Sequence, residues 1–151
     1  QISEVLSLLS KTKAAGASEI SASLVQIGAM LRHRSLLMIF SDLLAEPAAI
    51  RDAMLRLRHR NHDIILFHVL DEAEVRFPFQ GMVELTDPES SQSMVVDADA
   101  ARSDYVTGVE EFRDHYRQIC QQAGIDYVPL DTSMPFDAAL MEYLINRQQR
   151  A

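Results

Sequence analysis

Carboxylate side chains follow three apolar stretches of the sequence, at the point where each stretch ends. Asp42, Asp71 and Asp131 each come directly after a run that is typical of a buried strand. If these strands are parallel, all three acids lie at one carboxyl edge, where open α/β sheets bind ligands. Hydroxyl side chains stand near the acids at Ser41, Thr132 and Ser133. Carboxylate and hydroxyl oxygens suit a hard cation such as Mg²⁺, so the pattern indicates a cation site.

Two other interpretations of these acids stay open. Each acid also suits the N-terminus of the helix that follows, as a cap or as a first-turn charge stabilised by the helix dipole. Alternatively, Asp42 and Asp131 would serve a Mg²⁺-dependent hydrolase or phosphoryl-transfer enzyme. The sequence has no G-x-S-x-G, H-E-x-x-H, C-x-x-C or P-loop pattern, so none of these catalytic templates supports an enzyme.

Histidine and cysteine residues add no catalytic or metal-binding pattern. His33, His59 and His62 lie at arginine-rich helix ends and His68 lies in a predicted strand, and none has a partner at metal-ligand spacing. We interpret all four as surface or packed histidines. Cys120 falls on the apolar stripe of a predicted helix, where a free cysteine behaves as a small hydrophobe, and we interpret it as inert.

The composition is typical of a single globular domain over residues 1–151. The chain has 22 acids against 14 Lys and Arg, a net charge of −8, and 48% hydrophobic residues, which excludes a disordered chain. No apolar run approaches the roughly 20 residues of a bilayer helix, and an acidic chain without a basic tail is poorly suited to nucleic acid. A lone cysteine favours the cytoplasm. The start at Gln1, without Met or a signal segment, predicts a processed chain or a fragment.

The spacing of apolar residues predicts the elements that position the acids. Strands are expected over 35–41, 63–70 and 125–130, with a helix from Glu46 to Asn61 between the first two. Such a strand–helix–strand unit makes the sheet at least partly parallel. The other expected elements are a hairpin of Met82–Thr86 and Ser93–Asp97, and helices over 3–13, from the N-cap Ser18 onward, over 98–123 and over 136–146. The predicted architecture is one α/β layer domain.

The same patterns predict which side chains are buried. The first strand is expected to be buried on both faces, because its apolar run is continuous. The expected helical stripes are Ile20, Leu24, Ile27 and Leu31; Ile50, Ala53, Met54 and Leu57; Tyr105, Val109, Phe112, Tyr116, Ile119 and Ala123; and Phe136, Leu140, Tyr143 and Leu144. Gly124 is expected to end the long helix. The segment Phe77-Pro78-Phe79 is either a docking knob or a loop folded back onto the core.

Arginines concentrate at two predicted helix ends of this acidic chain. Residues 32–60 contain six arginines against three acids. The surplus either stabilises helix C-termini through the dipole or contacts a protein partner.

Four stretches of the sequence occur in a consistent order: RSLLMIFSDLL from Arg34, RHRNHDIILFHVLDEAEV from Arg58, FPF from Phe77 and DYVPLDTSMPFDAAL from Asp126. Together they resemble a bacterial family, the domain of unknown function family fifty-eight (DUF58), whose members carry a von Willebrand factor A-like (vWA) domain. The resemblance implies a Rossmann-like three-layer sandwich with a mainly parallel sheet and an extra β-hairpin. It also implies that the first strand is missing, so that the chain is an N-terminally truncated vWA-like domain.

The resemblance further implies a metal-ion-dependent adhesion site. In better studied relatives, this site combines an Asp-x-Ser-x-Ser loop after the first strand, a Thr from a second loop and an Asp after a later strand. Asp42 matches the later Asp and Ser18 stands in the place of the Thr, which makes them the expected Mg²⁺ ligands of an incomplete site. The first loop is expected upstream of Gln1. The segment 19–23 has the loop's spacing but lies on a predicted helix, where residues two apart point about 200° away from each other.

Members of the family are often encoded beside MoxR-type AAA+ ATPases. The resemblance therefore implies a non-enzymatic protein-interaction domain in the cytoplasm that works with such an ATPase or its client in protein assembly or chaperone-like work. Nucleic acid is not expected as a partner, and no membrane segment is expected in this chain. An uncovered sheet edge is prone to pair with another chain, so a homodimer is a further expectation.

Overall fold

Helices and strands alternate along much of the chain, as an α/β fold requires. The computed structural model describes residues 2–12, 19–87 and 92–148. The helices are α1 (Ile2–Lys11), α2 (Ile20–Met30), α3 (Pro47–His59), α4 (Glu72–Arg76), α5 (Ala98–Ala123) and α6 (Phe136–Gln148). The strands are β1 (Leu36–Ser41), β2 (Asp63–Leu70), β3 (Met82–Thr86), β4 (Ser93–Asp97) and β5 (Asp126–Asp131). In the described ranges, no helix combines the length and apolarity needed to cross a bilayer.

Three strands form a parallel sheet in the order β1-β2-β5, which confirms the predicted α/β class. Phe40 of β1 is paired with Phe67 of β2, and Val69 of β2 with Leu130 of β5. The central strand β2 is buried along almost its whole length, as its apolar run predicts. Strands β3 and β4 form the predicted antiparallel hairpin as a separate two-stranded sheet.

One face of the sheet carries the larger part of the core. The predicted stripe of α3 is entirely buried there, and it packs with β1, β2, Leu24 of α2 and Tyr116 of α5. The long helix α5 has the predicted bounds and ends at Gly124, whose φ of 65° is the left-handed conformation that glycine adopts without a Cβ penalty. The loop at Phe77 folds back onto this domain, because Phe77 is buried against Tyr105, with ring centroids 4.5 Å apart.

The prediction that β1 is buried on both faces is wrong. Leu37 and Ile39 point into the main core, but Leu36, Met38 and Phe40 are about half exposed. The opposite face of the sheet is covered around Phe67, where Leu140 and Tyr143 of α6 pack. Because β1 lies at the edge of the sheet, its outer side chains extend beyond this cover.

Other differences from the predicted core have local causes. Ile27 is exposed and Gly28 is buried, because α2 turns its glycine toward Leu57 of α3. Tyr105 and Leu144 are partly exposed at the surface of their helices. The prediction of Ser18 as the N-cap of α2 is wrong, because the N-cap is Glu19, directly before the first helical residue, Ile20. Ser18 itself and the side chain of Phe136 lie outside the described residues. The short helix α4 was not predicted, although its capping box, formed by Asp71 and Glu74, is legible in the sequence.

Candidate functional site

The carboxyl ends of the three parallel strands lie at one edge of the sheet. Ser41, the last residue of β1, is paired with His68, and Leu70, the last residue of β2, is paired with Asp131. Asp42 and Asp71 follow directly. The prediction that these acids share one sheet edge is therefore confirmed.

Asp71 acts as a helix cap. Its Oδ1 accepts a hydrogen bond from the Ala73 N–H at 2.9 Å, and its own N–H donates to the Glu74 carboxylate at 2.9 Å. Its Oδ2 accepts from the Thr132 hydroxyl at 2.9 Å. Both carboxylate oxygens are therefore occupied by protein donors, and the capping interpretation of Asp71 is confirmed.

Asp131 binds within its own turn instead of capping a helix, since α6 begins later, at Phe136. Its Oδ1 accepts hydrogen bonds from the backbone N–H of Ser133, at 2.9 Å, and from the Ser133 hydroxyl. The bond from the Ser133 hydroxyl is the largest influence that lowers the pKa of Asp131. The capping interpretation is wrong for Asp131, which instead closes an Asx turn.

Asp42 lies in a tightly hydrogen-bonded segment, the Asp42 loop (residues 41–46). The Ser41 hydroxyl oxygen accepts from the Leu43 N–H at 3.0 Å, and Asp42 Oδ1 accepts from the Leu44 N–H at 3.2 Å. Leu43 has a φ of 59° and is fully buried, whereas Leu44 is 67% exposed. A left-handed conformation at a branched residue costs about 1–3 kcal/mol and persists only where the surroundings impose it. Asp42 is no cap either, since the N-cap of α3 is Glu46.

A buried histidine, His68, is hydrogen-bonded to the backbone of the Asp42 loop. His68 Nε2 lies 3.0 Å from the carbonyl oxygen of Asp42, and His68 Nδ1 lies 2.8 Å from the Tyr127 hydroxyl. Burial lowers the pKa of His68 to about 4, so the ring is neutral near pH 7. Because a carbonyl can only accept, Nε2 carries the proton and donates to Asp42, while Nδ1 accepts from Tyr127. Burial raises the pKa of Tyr127 to about 12, which keeps its hydroxyl a donor.

A buried tyrosine completes the support. The Tyr116 hydroxyl donates to the Leu43 carbonyl at 3.4 Å, and its ring contacts His68 edge to face with centroids 5.8 Å apart. Burial raises the pKa of Tyr116 to about 12. The left-handed turn at Leu43 is thus fixed by side chains from β2, β5 and α5, and sequence reasoning missed this arrangement. The one signal for it was a histidine inside the apolar run of β2.

The described residues do not bring the acids into one metal-binding cluster. Each carboxylate accepts hydrogen bonds within its own turn or cap, and no group of three or more His, Cys, Asp or Glu in the described ranges is arranged to hold an ion. Ser18, the second expected ligand, lies outside the described residues. The segment 19–23 does lie on a helix, since α2 begins at Ile20.

The remaining reactive residues are packed or exposed as predicted. His33 and His59 are exposed, whereas His62 is buried and its Nδ1 accepts from the Ser35 N–H at 3.2 Å. Cys120 is fully buried, and burial raises the pKa of its thiol to about 12. A thiol in this state is a poor nucleophile, which agrees with its interpretation as a core residue.

A family model described as "Protein of unknown function DUF58" matches residues 1–115. The chain belongs to this family. No curated protein and no solved structure matches it. The DUF58 match includes the Asp42 loop, His68 and Asp71, while Tyr116 and Tyr127 follow it in the chain.

Proposed function

We propose that this DUF58 chain is a non-enzymatic protein-interaction domain of vWA type, which binds a protein partner through the Asp42 loop. The observation that carries the proposal is the buried, left-handed Leu43, held by His68 and Tyr116. This arrangement exposes Asp42 and Leu44 side by side at the carboxyl edge of the sheet. The parallel sheet flanked by helices supports the vWA assignment, which rests on the resemblance of the sequence.

A loop held in this way suits protein recognition. A partner that binds a preorganised loop loses less free energy to ordering it than one that binds a flexible loop. Leu44 supplies an apolar anchor, and the adjacent Asp42 carboxylate supplies a charge that selects the partner's orientation. Strained backbone concentrates at binding sites, and the left-handed Leu43 lies at the carboxyl edge of the sheet.

Two residues of types that often serve in catalysis, His68 and Cys120, are packed in ways that favour a binding role over an enzymatic one. His68 is buried with both ring nitrogens hydrogen-bonded, and Cys120 is buried in the core. The rival function, a Mg²⁺-dependent hydrolase or phosphoryl-transfer enzyme using Asp42 and Asp131, has less support. Asp131 Oδ1 already accepts two hydrogen bonds from Ser133. No group of three or more His, Cys, Asp or Glu among the described residues is arranged to hold a cation, so the proposed binding does not involve Mg²⁺.

The resemblance to the DUF58 family, whose members are often encoded beside MoxR-type ATPases, supports such an AAA+ ATPase or its client as the proposed partner. Work with this ATPase would assist protein assembly in the cytoplasm, where the lone Cys120 forms no disulfide.

Binding of a purified MoxR-type AAA+ ATPase tests the proposal. Leu44→Asp should weaken binding about tenfold or more, as loss of a central apolar anchor does. Leu8→Asp is the matched control, because Leu8 is 67% exposed, as Leu44 is, and lies on α1. Equal effects of the two variants, or no binding by the wild type, would count against the proposal. Turnover of a generic phosphoester that is lost in Asp42→Ala would favour the rival enzyme.

A further inference from the structure

A groove lies between α2 and α3, away from the Asp42 loop. It has a volume of about 360 Å³ and is lined by the later parts of both helices. Helix α2 ends at Met30, shortly before β1 begins, and α3 ends at His59, shortly before β2 begins. Since β1 and β2 are parallel, the ends of both helices lie toward the amino edge of the sheet. The groove is therefore a separate surface, and the inference drawn from it does not depend on the proposed function.

The floor of the groove is apolar. Leu24, Ala53 and Leu57 are buried beneath it, and Val25 is half exposed at its side. Gly28 brings the two helices into close contact, because a Cβ at this position would lie 2.8 Å from Leu57 Cδ2. The volume of the groove above this floor is large enough for an aliphatic side chain from outside.

The rim of the groove is basic. Arg56, His59 and Arg60 line it, and no acidic side chain does so among the described residues. Arg60 donates to the Gly28 carbonyl at 2.6 Å and so closes the end of the groove. In the described part of the chain, neither Arg56 nor Arg60 forms an ion pair.

Three other arginines of this region do form ion pairs. Arg34 and Arg58 both pair with Asp63, and Arg51 pairs with Asp52. The arginines at the groove thus keep their charge available in a chain whose net charge is −8. This local reversal of sign is the form of complementarity that selects and orients an acidic partner.

We propose that the α2–α3 groove binds an acidic segment of a partner protein that carries an aliphatic anchor. The anchor fills the apolar floor above Leu24 and Leu57, and the flanking carboxylates meet Arg56 and Arg60. Nucleic acid fits less well, because phosphate binding needs a longer row of bases and gains little from an apolar floor.

Selection of peptides from a random display library on the whole chain tests this assignment. The selected peptides should be enriched in Asp and Glu around Leu or Ile. Arg56→Glu should weaken the best of them about tenfold or more in fluorescence anisotropy, as truncation of an interface arginine does. Arg51→Glu is the matched control, because it makes the same charge change on the same helix outside the groove. Circular dichroism checks that both variants fold.

Each other outcome overturns the assignment. If the selected peptides lack acidic residues, or if Arg56→Glu and Arg51→Glu weaken peptide binding equally, the groove does not select its ligand by charge. Displacement of the peptide by single-stranded DNA at equal concentration would identify a nucleic-acid surface. Self-association in sedimentation velocity that is lost in Arg56→Glu would identify a second copy of the chain as the occupant. A selection that yields no peptide sensitive to Arg56→Glu would likewise reject a docking role.

Discussion

The imidazole of His68 lies beneath the Asp42 loop, with Nε2 3.0 Å from the Asp42 carbonyl oxygen. A strand in the middle of the sheet thereby fixes the loop that follows its neighbour, since His68 is paired with Ser41 at the end of β1. Because a neutral imidazole has one N–H and one acceptor nitrogen, each of which has a partner here, the loop depends on the protonation state of this ring.

Acid should destabilise the protein through His68. Burial lowers the pKa of His68 from 6.5 to about 4, so the unfolded chain binds a proton that the folded chain does not. The stability due to the neutral ring is complete above pH 6.5 and declines as the pH falls toward 4, by about 3 kcal/mol in total. Urea unfolding across this range measures the loss. In His68→Gln the same decline should be much smaller, whereas the exposed control His33→Gln should retain it.

Removing the Tyr127 hydroxyl should cost more than removing that of Tyr116. Tyr127→Phe leaves buried His68 Nδ1 without its donor at 2.8 Å, which costs about 1–3 kcal/mol. Tyr116→Phe removes a longer bond of 3.4 Å, so we expect a loss of about 1 kcal/mol or less. Denaturant midpoints at pH 7 compare the two variants. The reverse order would contradict the assigned role of Tyr127.

Leu43→Gly separates backbone strain from packing. Glycine adopts the φ of 59° freely, which recovers about 1–2 kcal/mol. Loss of a fully buried leucine side chain costs about 3–5 kcal/mol, so packing dominates and the variant should be less stable. Asn61→Gly is the control, with a φ of 62° and an exposed side chain, and should change stability by about 0.5 kcal/mol or less. A stabilised Leu43→Gly would mean that strain outweighs burial.

Two glycine-to-alanine substitutions in helices should have opposite signs. At Gly108 in α5 a Cβ meets nothing within 4 Å, so alanine should stabilise the helix by about 0.5–1 kcal/mol. At Gly28 the Cβ would lie 2.8 Å from buried Leu57, and overpacking of about 1–3 kcal/mol exceeds the gain in helix propensity. Thermal unfolding measures both. A stabilised Gly28→Ala would show that Leu57 can move aside at no cost.

Magnesium should not stabilise this chain. The described carboxylates accept hydrogen bonds in separate turns and form no cluster that could hold an ion. About 10 mM MgCl₂ should therefore leave the melting temperature unchanged, because only an ion bound by the native state raises it. Asp42→Ala serves as the comparison. A rise in the wild type that Asp42→Ala abolishes would restore the predicted metal site.

The periodic elements were predictable from the sequence because their burial is repetitive. The stripe of α3, the bounds of α5 and the parallel strand pair β1 and β2 each follow from several residues at regular spacing. The edge position of β1 was not predictable, because a continuous apolar run does not indicate which strands and helices pack on each side of it. Met38 and Phe40 are consequently more exposed than the run predicts.

The site was predictable only in outline. The position of Asp42, Asp71 and Asp131 at one edge follows from parallel strands, but their roles depend on turns of one or two residues. Leu43 carries no signal of a left-handed backbone, which favours Gly, Asn or Asp. The link from His68 to Tyr127 joins residues far apart in the sequence and requires the register of β2 with β5.

Helix α3 connects the Asp42 loop and the α2–α3 groove. Its first turn follows the Asp42 loop, and its last turn carries Arg56 and His59 of the groove. A ligand that shifts α3 as a rigid body would therefore act on both ends at once. Suppose that an acidic segment bound in the groove changes the affinity of a partner for Leu44 by some factor. By thermodynamic reciprocity, that partner bound at Leu44 must change the affinity of the acidic segment for the groove by the same factor. If both proposed partners bind, α3 is the element through which their affinities would be coupled.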